Sequence, residues 1–327
     1  MPGGTTTRGT ELLALLTLSL SLSLSLSLSS GCKQREEVVI FHASSLRRAL
    51  FDAARELERT HPGTRVRLEP SGSQIAARKV AELGMRADLV FVSDAEVIDQ
   101  LLVPSHATWN IELATNEIVL AHKDHSRFTD QITTDNWAEV LKREGVRLGR
   151  ADPETAPLGY QTLFVWSLAE HGATPHAGLS TDLIARIAKE HVVADETELL
   201  GLLESRAIDY AFLYRSSAED HHLKLTPLAP EQNLSRRELA ERYASVEIAV
   251  GSGARRTVQR GRAIVYGATI PSSAENPVGA TRFLELLLTQ PGRRIFERAG
   301  LRPLQPAPCR RAAGVPSALR ALVTTTP

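Results

Sequence analysis

Short unbroken apolar runs alternate along the chain with stretches whose apolar residues recur every three or four positions. The first run is Val38-Val39-Ile40-Phe41, as expected of a strand buried on both faces. Ala43, Ser44 and Ser45 then turn the chain into a segment with Leu46, Leu50 and Ala54 on one helical face. Positions 65–70 read as a second strand, followed by Ser71-Gly72-Ser73 and a helix over 74–83. Positions 87–92 (ADLVFV) read as a third strand, closing in Ser93-Asp94. Strands alternating with helices predict an α/β fold with a mostly parallel sheet.

The pattern continues with 115–123 (TNEIVLAHK), which suits one long crossover strand between lobes. Asp135-Asn136-Trp137 opens a helix, and 146–149 is a short strand. Positions 151–160 read as a loop because Pro153, Pro157 and Gly159 fall within them, and an apolar helix over 161–170 follows. A helix is expected over 183–189. Ala194-Asp195-Glu196 caps another over 197–205, and 209–214 (DYAFLY) is a buried strand. The periodicity weakens over 227–242, and 251–262 has the look of a surface hairpin. Positions 263–270 (AIVYGATI) form the last strong strand, with helices over 276–288 and 292–299. From Pro303 an extended tail is expected, with one or two helical turns within 316–323. The chain has no internal repeat.

The N-terminus departs from this pattern. Positions 12–28 are largely alternating Leu and Ser, ending in Ser29-Ser30-Gly31-Cys32. Low complexity at this place points to the hydrophobic region of an export signal spanning 1–32. A small residue and glycine before Cys32 resemble a bacterial lipobox, although Ser29 stands where leucine is usual, so lipidation at Cys32 is expected. A membrane-spanning anchor is the rival reading, and the interspersed serines disfavour it. With Cys32 lipidated, Cys309 has no disulfide partner.

The 327 residues suffice for two domains. The 38 basic and 38 acidic residues balance and are interspersed, which sets nucleic-acid binding aside. GxSxG, HExxH, Walker and strand-following GxGxxG motifs are all missing, as is any Cys/His cluster. Glu36/Glu37, Glu219/Asp220 and His221/His222 fall in polar stretches read as solvated. No enzyme motif and no cofactor are therefore expected.

What recurs is a strand delivering small hydroxyl residues to a helix start: Ser44/Ser45, Ser71/Ser73 and Ser93, with Gly159-Tyr160 as a further loop. Such a junction is an ordinary helix cap. Equally, it offers free N–H groups, a dipole end and hydroxyl donors, which make an oxyanion seat. Ser93 carries the same two readings, cap or pocket rim.

FHASSL, HPGTRVRLEPSGS, RKVAELGMRADLVFVSD, WNIELATNEIVLAH, the DPxxxPxGY loop, LLESRAIDYAFLYRSSAEDHHL and IVYGATIP run in order from 38 to 304. In this they resemble the tungstate/molybdate-binding proteins of ABC importers. The resemblance implies a two-lobed periplasmic binding protein fold with a two-strand hinge, near 115–123 and 262–270. It places 36–117 and 262–327 in one lobe and 118–261 in the other. It further implies a solute receptor that hands its oxyanion to an ABC permease; together with the lipobox reading at Cys32, an extracytoplasmic, lipid-anchored monomer is expected. Implied ligand residues are Ser44, Ser45, Ser71, Gly72, Ser73, Gly159, Tyr160 and Tyr214, with the Glu196 carboxylate on the metal of the oxyanion. The family's second carboxylate, an aspartate before the second proline of the loop, is Ala156 here, and its Gly-Tyr-Arg is Gly159-Tyr160-Gln161. Metal–carboxylate bonding separates hexavalent metals from sulfate, so Ala156 leaves sulfate open as an alternative cargo. A non-transport enzyme or a sensor-docking protein are alternatives from other classes.

Overall fold

The computed structural model describes residues 36–172, 176–251, 253 and 256–326. The apolar run opens β1 (Glu36–Ala43), and α1 (Arg47–Thr60) returns along it to β2 (Thr64–Ser71). α2 (Ser73–Ala81), β3 (Leu89–Val92) and α3 (Glu96–Leu101) follow, then β4 (Asn110–Thr115). β3 pairs in parallel with β1, Ile40 opposite Leu89 and His42 opposite Phe91. Ile40, Leu89 and Phe91 pack with Leu50 and Leu57 of α1, whereas Phe41, Val90 and Val92 pack with Ala76, Ala77, Val80 and Ile98. Both faces of these strands are covered, which is why their sequence is an unbroken apolar run rather than an alternation.

β5 (Ile118–His122), α4 (Trp137–Leu141), β6 (Leu148–Ala151), α5 (Pro157–Glu170) and α6 (Leu179–Arg186) build a second layer system. It continues through β7 (Val192–Val193), α7 (Glu196–Glu204), β8 (Tyr210–Tyr214), α8 (Arg215–Asp220) and β9 (Lys224–Pro227). The sheet order is β7-β6-β8-β5-β9. In α5 only Ser167 and Glu170 escape burial, so the helix is apolar all round and forms the centre of this part. Its Trp166 meets Phe212 edge-on at 5.7 Å, and Trp137 meets the same ring at 5.4 Å.

After α9 (Ala240–Tyr243), β10 (Glu247–Val250) and β11 (Thr257–Arg260) form an antiparallel hairpin. The expected hairpin over 251–262 therefore begins earlier, at Glu247, and its second strand ends at Arg260. β12 (Val265–Thr269), α10 (Pro277–Leu288) and α11 (Gln290–Arg298) return to the first sheet. The chain closes with β13 (Arg302–Pro303), β14 (Ala307–Arg310) and β15 (Val323–Thr326). That sheet runs β15-β14-β4-β12-β3-β1-β2, with β13 also on β4. The architecture is the two-lobed periplasmic binding protein fold, each lobe built on one sheet.

Five expectations need correction. Both sheets are mixed rather than mostly parallel, because β12 runs antiparallel to β3 and β4, and β5 antiparallel to β8 and β9. The single crossover strand over 115–123 is two strands in different sheets, broken at Asn116-Glu117. There the Glu117 N–H donates to Asn116 Oδ1 at 2.9 Å, Asn116 Nδ2 donates to Ser216 and Tyr266, and Glu117 Oε2 accepts from Asn233 at 2.8 Å. Polar side chains that supply such bonds free the backbone from the ladder. The helix expected from 161 starts at Pro157, whose missing N–H and fixed φ suit a first helical position. The helix over 183–189 is α6, four residues earlier, and Lys189–His191 is a separate 3₁₀ turn. The Pro-rich end is no tail: β14 pairs with β4, and Cys309, Val315 and Leu319 are buried. A 3₁₀ turn over Ser317–Leu322 falls within the expected 316–323.

Candidate functional site

The serine junctions are not caps. Between β1 and α1 the chain makes a 3₁₀ turn, Ser44–Leu46, and neither serine side chain caps either helix. The turn places Leu46 at the cap position of α1 and bonds the Arg47 N–H to Ser44 O, leaving the hydroxyls for other partners. Ser44 Oγ donates to Ser71 O at 3.4 Å and to Asp195 Oδ2 at 3.3 Å, while Ser45 Oγ accepts from the Tyr266 hydroxyl at 3.1 Å. At the second junction Gly72 holds the cap position of α2 without a side-chain bond. Ser73 Oγ accepts the Ser93 N–H at 3.0 Å and sits 3.1 Å from Ser93 Oγ. At the third, α3 is preceded by Asp94, whose Oδ1 accepts the Glu96 N–H at 3.1 Å, so Ser93 is a pocket residue and not a cap.

These hydroxyls surround one void between the lobes. Ser44, Ser45, Ser71, Gly72, Ser73 and Ser93 line it from the large-sheet side. Ala156, Pro157, Leu158, Asp195, Glu196 and Tyr214 line it from the other. The space open to the centre of a water molecule is about 10 Å³, room for roughly one water. A larger cavity of about 290 Å³ shares Ser44, Ser45 and Glu196 with it and reaches the cleft edge past Arg48 and Asp220. The starts of α2, α5 and α7 all face this void, and helix N-termini carry positive partial charge.

Ser71 Oγ is buried at the void without a hydrogen-bond partner among the described residues, and Glu196 Oε2 is buried beside it, with the Ser217 hydroxyl acting on that carboxyl. Glu196 is 4% exposed, and its other oxygen accepts the Tyr214 N–H at 3.2 Å. Burial pushes its pKa up to about 8; the Ser217 hydroxyl and the Tyr214 N–H pull it down and the Asp195 charge adds to the rise. Asp195 caps α7 through Oδ1, which accepts from the Thr197 and Glu198 N–H groups at 2.8 and 3.1 Å, and turns Oδ2 to Ser44. The Tyr214 hydroxyl donates to Gln161 Oε1 at 2.7 Å.

The cleft is shut. A methyl group on Gly72 would lie 2.3 Å from Thr155 O. Gln74 Nε2 donates to Pro153 O and Arg78 Nη1 to Glu154 O, both at 3.2 Å, and Arg48 pairs with Asp220 at 2.9 Å. Asp220 thus bridges the cleft rather than standing solvated.

Of the sequence-predicted residues, Ser44, Ser45, Ser71, Gly72, Ser73, Ala156, Glu196 and Tyr214 meet at the void. Gly159 and Tyr160 do not line it. They lie in the first turn of α5: Gly159 packs so tightly that a Cβ would meet Pro153 N at 2.4 Å, and the Tyr160 hydroxyl donates to Asp94 Oδ2 at 2.7 Å. Asp152 and Glu154 do not replace the carboxylate missing at Ala156, since Asp152 Oδ1 is spent on the Glu154 N–H at 2.8 Å. Asp195 at the void and the Asp94 cluster were missed. A cap aspartate has one oxygen left over, and that was the available signal for Asp195. Among the described residues no three His, Cys, Asp or Glu side chains converge to hold a resident metal ion. Cys32 lies outside the described residues.

Residues 38–302 match the profile of bacterial extracellular solute-binding proteins. A solute-binding protein of Petrotoga mobilis is 36% identical over 272 residues, 83% of this chain and 84% of its own. The molybdate/tungstate-binding protein WtpA of Pyrococcus abyssi is 36% identical over 285 residues, 80% of this chain and 82% of its own. In fold, the chain is similar to the periplasmic molybdate-binding protein of Azotobacter vinelandii, with a TM-score of 0.59 at 17% identity, covering 81% of this chain and 98% of the other. The sulfate-binding protein SubI of Mycobacterium tuberculosis also gives 0.59, at 15% identity, over 82% and 87% of the two chains.

Proposed function

The chain belongs to the bacterial extracellular solute-binding protein family, and from that premise we propose that it captures a tetrahedral oxyanion, tungstate or molybdate, between its lobes and delivers it to an ABC permease. The observation that carries this reading is the void itself: serine hydroxyls, three helix starts and the buried Glu196 carboxyl converge on one point of the cleft, with Ser71 Oγ buried and unpartnered. Neutral donors and helix starts replace the hydration shell of a dianion without titrating. Ser44, Ser71, Ser73 and Ser93 are the hydrogen-bonding set, Tyr214 is a wall residue whose hydroxyl is bonded to Gln161, and Glu196 Oε2 is the carboxyl atom turned to the ion. That WtpA, a relative over most of its length, is named for molybdate and tungstate supports the choice of anions.

The role is binding and delivery, not catalysis, and it is carried out by a monomer. The lobes divide as 36–117 with 262–327 against 118–261; membership of β1–β4 and β12–β15 in one sheet and β5–β9 in the other supports this. The family works outside the cytoplasmic membrane, and an export signal over 1–32 with a lipid on Cys32 keeps this chain at the membrane surface. Cys32→Ala should release it into the soluble fraction or leave the signal uncleaved; unchanged fractionation and mass would count against the anchor.

The deciding experiment is calorimetry of the mature chain with tungstate, molybdate, sulfate and phosphate in turn, alongside thermal melts. An anion at 100 times its Kd adds about 2.7 kcal/mol of stability. No heat and no thermal shift with any of the four would defeat the oxyanion reading.

A further inference from the structure

Asp94 follows Ser93 directly at the end of β3 and is buried. Its Oδ2 accepts from the Tyr160 hydroxyl at 2.7 Å and from Arg262 Nη2 at 2.6 Å, and Arg262 Nε lies 3.0 and 3.2 Å from its two oxygens. The same guanidinium stands 5.8 Å from the centre of the Tyr160 ring and donates to Gln259 Oε1 and Arg260 O. The three side chains come from three places. Asp94 belongs to the large-sheet lobe, Tyr160 to the first turn of α5 on the small-sheet lobe, and Arg262 to the segment crossing between β11 and β12. Tyr160 and Asp94 therefore meet only when the lobes do.

We propose that Tyr160, with Asp94 and Arg262, is a closure latch: a positioning set that holds the lobes shut over the anion site without touching the anion. The inference rests on the oxyanion reading of the cleft and adds to it the element that times release. Both arms of the latch are continuous with the walls of the void. Ser93, bonded to Ser73, is the residue before Asp94, and Ala156, Pro157 and Leu158 lead into Tyr160 on the same helix turn. Whatever seats those walls seats the latch. The Tyr160 hydroxyl is taken up by Asp94, so it is not a donor to the ion. A buried hydrogen bond to a charged group is worth a roughly 10- to 100-fold change in an equilibrium.

The test uses the full mature chain, Tyr160→Phe, Asp94→Asn and the double variant. Each is loaded with radiolabelled molybdate and chased with excess unlabelled molybdate, and small-angle X-ray scattering is recorded with and without the anion. Tyr160→Phe should release molybdate about 10-fold faster or more, with association within about twofold of wild type, and should scatter as a more expanded particle. Asp94→Asn should move both readings the same way, and it decides the matter should Tyr160→Phe not fold. The double variant should release no faster than the quicker single one, because both cut the same link. Wild-type release and compaction in Tyr160→Phe, or fully additive effects in the double variant, would overturn the latch. If the wild-type chain takes up no molybdate, the oxyanion reading fails separately. The latch is then judged on scattering without anion, where Tyr160→Phe must be the more expanded and equal radii overturn it.

Discussion

Gly72 is where one added methyl group should uncouple binding from folding. Its backbone, at φ −63° and ψ 146°, is open to any L-residue, so Gly72→Ala costs the local structure nothing in conformation. The difficulty lies across the cleft. The new Cβ would sit 2.3 Å from Thr155 O, 2.9 Å from Thr155 C and 3.3 Å from the Ala156 Cβ. The first two are backbone atoms in the turn leading to α5 and cannot rotate away, so ordinary contact distance requires the lobes to stay about 1 Å further apart. At that separation the Ser44–Asp195 and Gln74–Pro153 bonds, now 3.3 and 3.2 Å, are lost. Overpacking of this kind costs about 1–3 kcal/mol, which is roughly a 5- to 150-fold weaker Kd. The same change removes backbone freedom from the unfolded chain, worth about 0.4–1 kcal/mol in the opposite direction, so the melt without anion should hold or rise. Calorimetry with molybdate and a thermal melt without it read the two effects separately. Wild-type affinity in Gly72→Ala would refute the reasoning, since it would mean the anion is held with the cleft ajar.

Three further outcomes follow from the same geometry. The Glu196 pKa near 8 stands above its ordinary value of 4.5, so its contribution to stability is complete below about pH 4.5 and lost as pH rises through 8. Without anion, the wild-type chain should lose on the order of 4 kcal/mol across that window and Glu196→Gln should flatten the profile, checked by denaturation at pH 5 to 8; parallel profiles would contradict it. Asp220→Asn breaks the exposed pair with Arg48 and should weaken molybdate binding less than about fivefold, with the difference vanishing at high salt in calorimetry. Ala156→Asp puts a third carboxyl beside Asp195 and Glu196 and should weaken molybdate and sulfate alike; tighter tungstate with unchanged sulfate would instead establish a six-coordinate metal site.

The large-sheet lobe was legible because its strands obey a local rule: burial on both faces produces runs such as 38–41 and 89–92, which announce themselves. What periodicity could not show was direction or sheet membership. The stretch TNEIVLAHK is uniformly β-forming, and only the partners of Asn116 and Glu117, 100 or more residues away in Ser216, Asn233 and Tyr266, break it in two. The C-terminal edge strands escaped notice for a related reason. Proline spacing reads as a tail until β4 supplies a neighbour with free hydrogen-bonding groups. At the site, residue types at the junctions were informative and their local role was not. Ser44 and Ser73 look like caps in isolation, and their hydroxyls leave the helix ends only because Asp195 and Ser93 are brought to them by tertiary contacts. Tyr160 shows the same limit, because the motif marks it as important while Asp94, 66 positions earlier, decides what it does.

The charge balance at the void explains how an alanine is accommodated at 156. A dianion beside two carboxyl groups is unfavourable unless one of them is neutral or bonded to metal. Burial and the Asp195 charge both favour the proton on Glu196, and Asp195 spends one oxygen on the amide dipoles opening α7. A third carboxylate, at 156, would lie against Gly72 and beside Asp195 and Glu196, adding like charge that only the N–H groups opening α5 would offset. With alanine there, the starts of α2, α5 and α7 and the serine hydroxyls act on the anion without that opposing charge. On the proposed oxyanion reading, a site of this construction would select by size, charge and the geometry of hydrogen-bond acceptors rather than by metal coordination. Sulfate is then the natural competitor, and the ratio of its Kd to that of molybdate is the number that most directly reports what the loss of the aspartate has done.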